Sequence, residues 1–215
     1  MDNKEENLLE QVVSLCKEKK NALDLGCGNG GHSIFLAQKG FVVDSVDSNP
    51  KALERLEEKI KESNVSGIAE INQDIAQFNA NKKYDLIIAS SSLHFFPLQI
   101  IQGIIAKIKD WLADNGVLFL RIFSDKDDEY IKYVKEGKQS APNEIISPRT
   151  KKSIHYFNQD DVRELVKDFE VIKLEEIKKF ADHQPDGQHW HWMFEIVAKK
   201  ISKKKWYLTP FSSFY

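Results

Sequence analysis

Residues 21–31, Asn-Ala-Leu-Asp-Leu-Gly-Cys-Gly-Asn-Gly-Gly, restrict what the chain can fold into more than any other stretch. An apolar lead-in runs to Asp24 and then into glycines spaced G-x-G-x-G, and a helix-compatible stretch, His32 to Lys39, follows at once. Glycine lacks a Cβ, so the backbone there can turn tightly and a ligand can lie directly against it. The first turn of the following helix points unpaired N–H groups at that ligand. Strand, glycine turn and helix in this order are the opening unit of a doubly wound α/β sheet, whose ligand sits beyond the carboxyl ends of the strands.

Gly26, Gly28 and Gly31 also satisfy the dinucleotide spacing G-x-G-x-x-G. The acid at Asp24, two residues before the first glycine, argues against that ligand. A phosphate packed on the helix gains nothing from a carboxylate there, whereas a ligand with a cationic end does. The Leu-Asp-Leu-Gly-Cys-Gly frame resembles motif I of the class I S-adenosylmethionine-dependent methyltransferases. That resemblance implies a Rossmann-like, seven-stranded, mostly parallel sheet with helices on both faces and a C-terminal antiparallel hairpin. It also implies S-adenosylmethionine as cofactor and S-adenosylhomocysteine as product.

The remaining chain reads as alternating helices and strands. Leu8, Leu9, Val12, Val13 and Cys16 mark one face of a helix over 5–19, which leans on the sheet edge or covers the cofactor. A second strand over 41–47 ends in Asp47, and Pro50 opens a helix to residue 63 that Ser48 or Asn49 can cap. An acid about 20 residues past the glycine loop is placed to accept hydrogen bonds from ribose hydroxyls. Asp47 fits that place, alone or while also capping the helix, and Asp44 is the weaker alternative. Strands over 67–72 and 84–90 follow, with Asp74 and Ile75 after the first and Ser90 at the end of the second. By resemblance, Asp74 takes the adenine amino group and Ile75 packs on the ring, although a loop-capping aspartate fits as well. The same resemblance gives the methionine end to Asp24 and the backbone of Gly26, Cys27, Gly28 and Gly30, the ribose to Asp47 with Ser48 beside it, and a backbone carbonyl for the ammonium to Ser90.

Next come a helix over 97–111, a turn at Asp114-Asn115-Gly116 and a fifth strand over 117–122. Residues 124–150 break the pattern, offering Ile131, Tyr133 and Val134 for burial, and read as a lid over the active site. Asn158 to Asp161 cap a helix to about residue 168, and strands over 169–175 and 191–198 close the sheet. The resemblance thus implies one methyltransferase domain over residues 1–200. The tail, 201–215, carries Lys203-Lys204-Lys205 and several aromatics, which suit packing on the domain or a partner subunit better than nucleic acid.

The loop over 182–192 holds Asp182, His183, His189 and His191 around Pro185-Asp186-Gly187. It can form a pocket for a polar or anionic substrate, a metal site, or a plain polar hairpin. No metal ligand set is assigned. The motif I loop, Ser92-Leu93-His94-Phe95-Phe96, Ile154-His155-Tyr156-Phe157 and this hairpin together resemble the tellurite-resistance methyltransferase family. The family implies methyl transfer to a small nucleophile such as a tellurite- or selenite-type oxyanion or a thiol. On the acceptor side the candidates are His94, His155, His183, His189 and His191, with Arg149 as an anion contact. Metabolite, natural-product, RNA or protein methylation, and cofactor binding without turnover, are the competing functions.

Composition narrows the partners. A formal net charge of −2 gives no global attraction to nucleic acid or anionic membrane. The Pro-Pro-aromatic segment of nucleic-acid amino-methyltransferases and the Pro-Cys pair of cytosine carbon methylation are both missing after the fourth strand. The polar N-terminus is no signal peptide, and no apolar run nears the roughly 20 residues of a membrane span. Cys16 and Cys27 are read as reduced thiols, with Cys27 a small residue fitting a tight loop rather than a nucleophile. A cytoplasmic monomer or homodimer with a small-molecule acceptor is expected.

Overall fold

A computed structural model describes residues 3–148, 150–183 and 187–201, and the side chains of 181–183 and 187–189 lie outside that description. Helix α1 (Asn3–Ser14) precedes strand β1 (Asn21–Leu25), helix α2 (Gly31–Gln38), strand β2 (Val42–Asp47), helix α3 (Pro50–Ser63), strand β3 (Ile68–Asn72) and strand β4 (Tyr84–Ser90). A single 3-10 turn, Leu93–Phe95, leads to helix α4 (Leu98–Trp111) and strand β5 (Leu112–Phe123). Helix α5 (Asp128–Lys135), strands β6 (Gln139–Ala141), β7 (Glu144–Ile146) and β8 (Ser153–His155), and helix α6 (Gln159–Leu165) follow. Strands β9 (Phe169–His183) and β10 (Gly187–Lys200) end the described chain.

The main sheet has seven strands in the order β3-β2-β1-β4-β5-β10-β9. The first five pair in parallel, and β10 runs antiparallel to both β5 and β9. This is the doubly wound sheet with a C-terminal hairpin that the sequence implies. Side chains alternate across the strands with period two. Leu86 and Ile88 of β4, and Val117 and Phe119 of β5, pack with α1 and α2 on one face. Ile87, Ala89, Leu118 and Leu120 pack with α4 and α6 on the other. Both faces are covered, so β4 reads as a nearly unbroken apolar run. The strand order reverses direction between β1 and β4, which places the binding crevice at their carboxyl ends.

Local signals held where caps fix them. Asn49 caps α3 by accepting the Lys51 N–H, with Pro50 in the first turn. Asn158 and Asp161 form a reciprocal capping box on α6.

Three expectations are corrected. Asp114-Asn115-Gly116 is an irregularity inside β5, whose pairing jumps from Tyr84↔Leu112 to Leu86↔Val117, because Leu112 already joins the ladder. Residues 124–150 contain α5, β6 and β7, and β8 completes a small antiparallel sheet with the last two. Their buried apolar and aromatic residues are Tyr130 and Ile145, not Ile131 and Val134, since the Asp127 cap starts α5 in a phase that turns Tyr130 inward. The last two strands run well past 169–175 and 191–198. Ladder pairing of β10 with β5 stops at Met193↔Phe123, and residues 187–192 continue the ladder with β9 as a ribbon beyond the carboxyl end of β5, with the Trp192 carbonyl still accepting the Ser124 N–H at 2.9 Å. Residues 202–215, and hence the basic and aromatic part of the tail, lie outside the described residues. No helix among the described residues is long and apolar enough to cross a membrane.

Candidate active site

Gly26, Gly28 and Gly30 have φ of 74°, 54° and 75°, in the left-handed region that favours glycine. Gly31 does not, so the glycines the backbone demands are spaced G-x-G-x-G. A Cβ on Gly26 would fall 2.4 Å from Ser92 Cβ, and one on Gly30 would fall 2.1 Å from Leu56 Cδ1. A Cβ on Gly28 would meet nothing within 4 Å, which marks that side of the loop as open to a ligand. The Gly26 and Cys27 N–H groups both donate to the Val46 carbonyl, at 2.8 and 3.1 Å. Burial and the nearby charges of Asp24 and Asp47 push the Cys27 thiol far up, which fits a small loop residue and not a nucleophile.

Asp47 joins three strand ends. Its Oδ2 accepts the Gly28 N–H at 2.9 Å and its Oδ1 the Asn49 N–H at 2.8 Å. Its carbonyl accepts from Asn72 Nδ2 at 3.0 Å and from the Gln73 N–H at 3.1 Å. It is therefore not the cap of α3, a role Asn49 fills, and Ser48 beside it is exposed. Asp44 is committed elsewhere, accepting from Tyr84 Oη at 2.7 Å and Lys82 Nζ at 3.0 Å. Asp74 is exposed and caps its own loop by accepting the Ala76 N–H at 2.8 Å. Ile75 is buried, with Cδ1 3.3 Å from where a Gly26 Cβ would stand.

Asp24 lies under the loop, 1% exposed, and accepts from Ser33 Oγ at 2.7 Å, which ties the first turn of α2 to β1. Ser45 Oγ donates to Ser33 Oγ at 2.8 Å. Burial raises the Asp24 pKa, opposed by the charge of His32 and the Ser33 hydrogen bond. Beside it stands a charged network that the sequence did not reveal. Glu5 of α1 meets His32 Nε2 at 2.7 Å, Arg121 Nη1 at 3.0 Å and Lys179 Nζ. Arg121, 2% exposed, also donates to Ser90 Oγ at 3.3 Å and to Glu195 Oε2 at 2.8 Å. Burial pushes Glu5 up, but the His32 hydrogen bond and the Arg121 and Lys179 cations outweigh it and hold it well below the usual carboxylate range. Helix α1 therefore both packs on the sheet and brings a carboxylate to the carboxyl ends of β4 and β5.

Ser92, against Gly26, leads into the 3-10 turn, which continues from the glycine loop toward a second cleft. This cleft, of about 530 Å³, is walled by Phe95, Phe123, Asp127, Tyr133, Trp190 and His191 among others. His94 is fully buried and its ring stacks on Phe123 with centroids 3.7 Å apart. His191 stacks on Phe123 at 4.6 Å. His191 Nδ1 lies 2.9 Å from Asp127 Oδ2, an atom that also accepts the Trp192 N–H at 3.1 Å. His155 is buried on the adjoining β8, its ring edge-on to Phe157 at 4.5 Å. The structure thus brings His94 and His191 to one aromatic stack. Arg149 and the side chains of His183 and His189 lie outside the described residues, where the backbone pairs His183 with Gly187 and His189 with Ala181. Among the described residues no three of His, Cys, Asp and Glu are grouped to hold a metal.

Burial, with a smaller contribution from His191, lowers the His94 pKa to about 3. In the unfolded chain an imidazole binds its proton near its ordinary pKa of 6.5. Between those values the unfolded chain holds more protons, so stability falls as pH drops below 6.5. The expected loss is about 1 kcal/mol per pH unit. Urea unfolding from neutral pH to about pH 5 should show it, and His94→Phe should flatten it. Burial also lowers the His155 pKa, which gives a dependence of the same sign.

Residues 4–136 match the family model described as tellurite resistance protein TehB. The chain belongs to that family. A TehB of Haemophilus influenzae, described as a probable S-adenosyl-L-methionine-dependent methyltransferase, is 31% identical over 118 residues, 55% of this chain and 40% of that protein. Pavine N-methyltransferase of Thalictrum flavum is 25% identical over 157 residues, 67% of this chain and 42% of that enzyme. The chain thus spans about two-fifths of the length of the curated relatives it matches. The crystal structure of TehB from Haemophilus influenzae superposes with a TM-score of 0.70 at 20% identity, over 93% of this chain and 62% of that one. An S-adenosylmethionine-dependent methyltransferase from Methanosarcina mazei superposes at 0.73 and 19% identity, over 89% and 98%. These two likenesses show that the TehB-family chain has the class I methyltransferase fold.

Proposed function

We propose that this chain is an S-adenosylmethionine-dependent methyltransferase, formed by one domain over residues 1–200, that methylates a small acceptor in the cleft beside Phe95, Phe123 and His191. The observation that carries the reading is Asp47, which ties the open Gly28 face of the glycine loop to the ends of β2 and β3. The residues fit the cofactor chemically. Gly28 leaves space for it, Asp47 offers a carboxylate to the ribose, Ile75 an apolar surface to the adenine, and buried Asp24 directs negative charge at the loop from below. When bound, the cofactor supplies a methyl group already activated on a sulfonium. The protein then contributes mainly proximity and in-line alignment.

TehB membership suggests oxyanion or thiol acceptors, and the names of the plant relatives suggest amine nitrogens. All are small molecules, in keeping with a cleft of about 530 Å³. Asp47→Ala removes the ribose acceptor and the Gly28 tether together. It is expected to weaken S-adenosylmethionine binding at least about thirty-fold, or 2 kcal/mol, in a calorimetric titration. Unchanged affinity would remove the ribose role.

A further inference from the structure

We infer that His32, Arg121 and Lys179 form the subsite for the α-carboxylate of the cofactor, and that Glu5 of α1 is an internal carboxylate competing for the same three donors. This rests on the methyltransferase reading above, which gives the cofactor's ammonium to Asp24 and Ser90 and assigns nothing to its carboxylate. Ammonium and carboxylate hang from one carbon, so whatever holds the first fixes the neighbourhood of the second. Ala22, Ile88 and Phe119 pack with α1 and α2. With period two, Asp24, Ser90 and Arg121 continue those rows on the same face, at the carboxyl ends of β1, β4 and β5. Arg121 stands opposite Ser90 in the ladder and donates to its Oγ at 3.3 Å. His32, in the first turn of α2 directly after the glycine loop, is close enough for its charge to act on Asp24. These two donors flank the place the ammonium takes, and Lys179 reaches the same cluster from β9.

Glu5 already fills this cluster. Its Oε1 accepts from His32 Nε2 at 2.7 Å and Arg121 Nη1 at 3.0 Å, and its Oε2 from Lys179 Nζ. These are the donors that a carboxylate ligand calls for. The cluster also has capacity beyond Glu5. Arg121 Nε is buried with no hydrogen-bond partner among the described residues, and Lys173 adds a cation 2.7 Å from Glu195. An unpaired buried donor is unfavourable, and a carboxylate arriving at the guanidinium can satisfy it. Glu5 in turn has somewhere to go. It lines a cavity of about 580 Å³ between α1 and the β9–β10 ribbon, where Lys4, Gln11 and Lys178 offer other partners. The apolar anchor of α1, Leu8, Leu9, Val12 and Val13, lies C-terminal to Glu5, so only the first turn has to move. Cofactor binding then exchanges one carboxylate for another at the cluster and loosens the start of α1.

The test titrates the full chain with S-adenosylmethionine and with its decarboxylated form, which keeps the ammonium and the sulfonium. Glu5→Gln keeps the length of the side chain and removes its charge. The ratio of the two Kd values isolates the ligand carboxylate, because everything else in the two ligands is shared. In Glu5→Gln the preference for S-adenosylmethionine over the decarboxylated form should rise at least about five-fold above that of the parent chain. Saturable binding of the decarboxylated form shows that the variant folds. A second measurement needs no variant. In the parent chain, amides of residues 7–11, whose helical hydrogen bonds run back to the first turn of α1, should exchange at least about three-fold faster with saturating S-adenosylmethionine than with the decarboxylated form. A purely structural Glu5 moves neither readout. A smaller rise in preference, or equal exchange with the two ligands, would overturn the inference while leaving the methyltransferase reading intact. A parent chain that binds neither ligand would overturn both.

Discussion

Gly26→Ala should destabilise the chain by about 2 kcal/mol and weaken S-adenosylmethionine binding at least about ten-fold. Two costs combine. The left-handed φ of 74° is unfavourable for any residue with a Cβ, at roughly 1–2 kcal/mol. The new methyl would also stand 2.4 Å from Ser92 Cβ. Ser92 cannot withdraw cheaply, because Ser91 before it already holds a φ of 57° and donates its N–H to the Arg121 carbonyl at 2.9 Å. The loop must therefore move away from the turn that links it to the acceptor cleft. Thermal unfolding should show a midpoint lower by about 4–8 °C. Gly28→Ala is the informative control. It bears the φ penalty but meets no neighbouring atom, so it should be the milder lesion in stability while still projecting a methyl group onto the ligand side. Equal midpoints for Gly26→Ala and the parent chain would contradict the packing described here.

Arg121→Ala should cost more, about 3 kcal/mol. The guanidinium is almost wholly buried between Glu5 of α1 and Glu195 of β10. Removing one member of a buried ionic group leaves its partners desolvated without compensation. The loss falls at the low end of the expected range because Glu5 keeps His32 and Lys179, and Glu195 keeps Lys173 at 2.7 Å. The variant should also change the acid limb. Both carboxylates have folded pKa values below the ordinary 4.5, so their stabilisation is present above that pH and lost as pH falls below it. Weaker depression in Arg121→Ala makes the acid-dependent part smaller. Denaturant midpoints at pH 7 and about pH 4 measure both effects. A loss below about 1 kcal/mol at pH 7 would mean that the network contributes little.

What could be read from the sequence was local. Leu23 and Leu25 alternate with Asp24 as a strand must, the three left-handed glycines sit next to one another in the chain, and Pro50 and Asn158 mark helix starts through bonds spanning two or three residues. The residues that shape the acceptor side are joined over long distances. Asp127 and His191 are 64 residues apart, and Glu5 and Arg121 are 116 apart. Neither member of such a pair differs in its own neighbourhood from a solvated charge. Asp127 stands in a charged run that reads as part of a lid, and neither its capping of α5 nor its partner is legible there. The hairpin is legible but the length of its ribbon beyond β5 is not, because Glu175 to Lys179 alternate charged and apolar side chains too irregularly to read as a strand, and pairing with β10 decides the matter. The phase of α5 depended likewise on Asp127, so Tyr130 rather than Ile131 became the buried residue.

If the Gly26–Gly30 loop and Asp47 form an S-adenosylmethionine site, the unaltered chain binds that ligand by itself. Calorimetric titration of the unaltered chain with S-adenosylmethionine, S-adenosylhomocysteine and NAD tests it most directly. Saturable binding of the first two at one site per chain, with no heat from NAD, is the expected result. Binding of NAD in their place, or of none of the three, would contradict the assignment of the glycine loop and everything built on it.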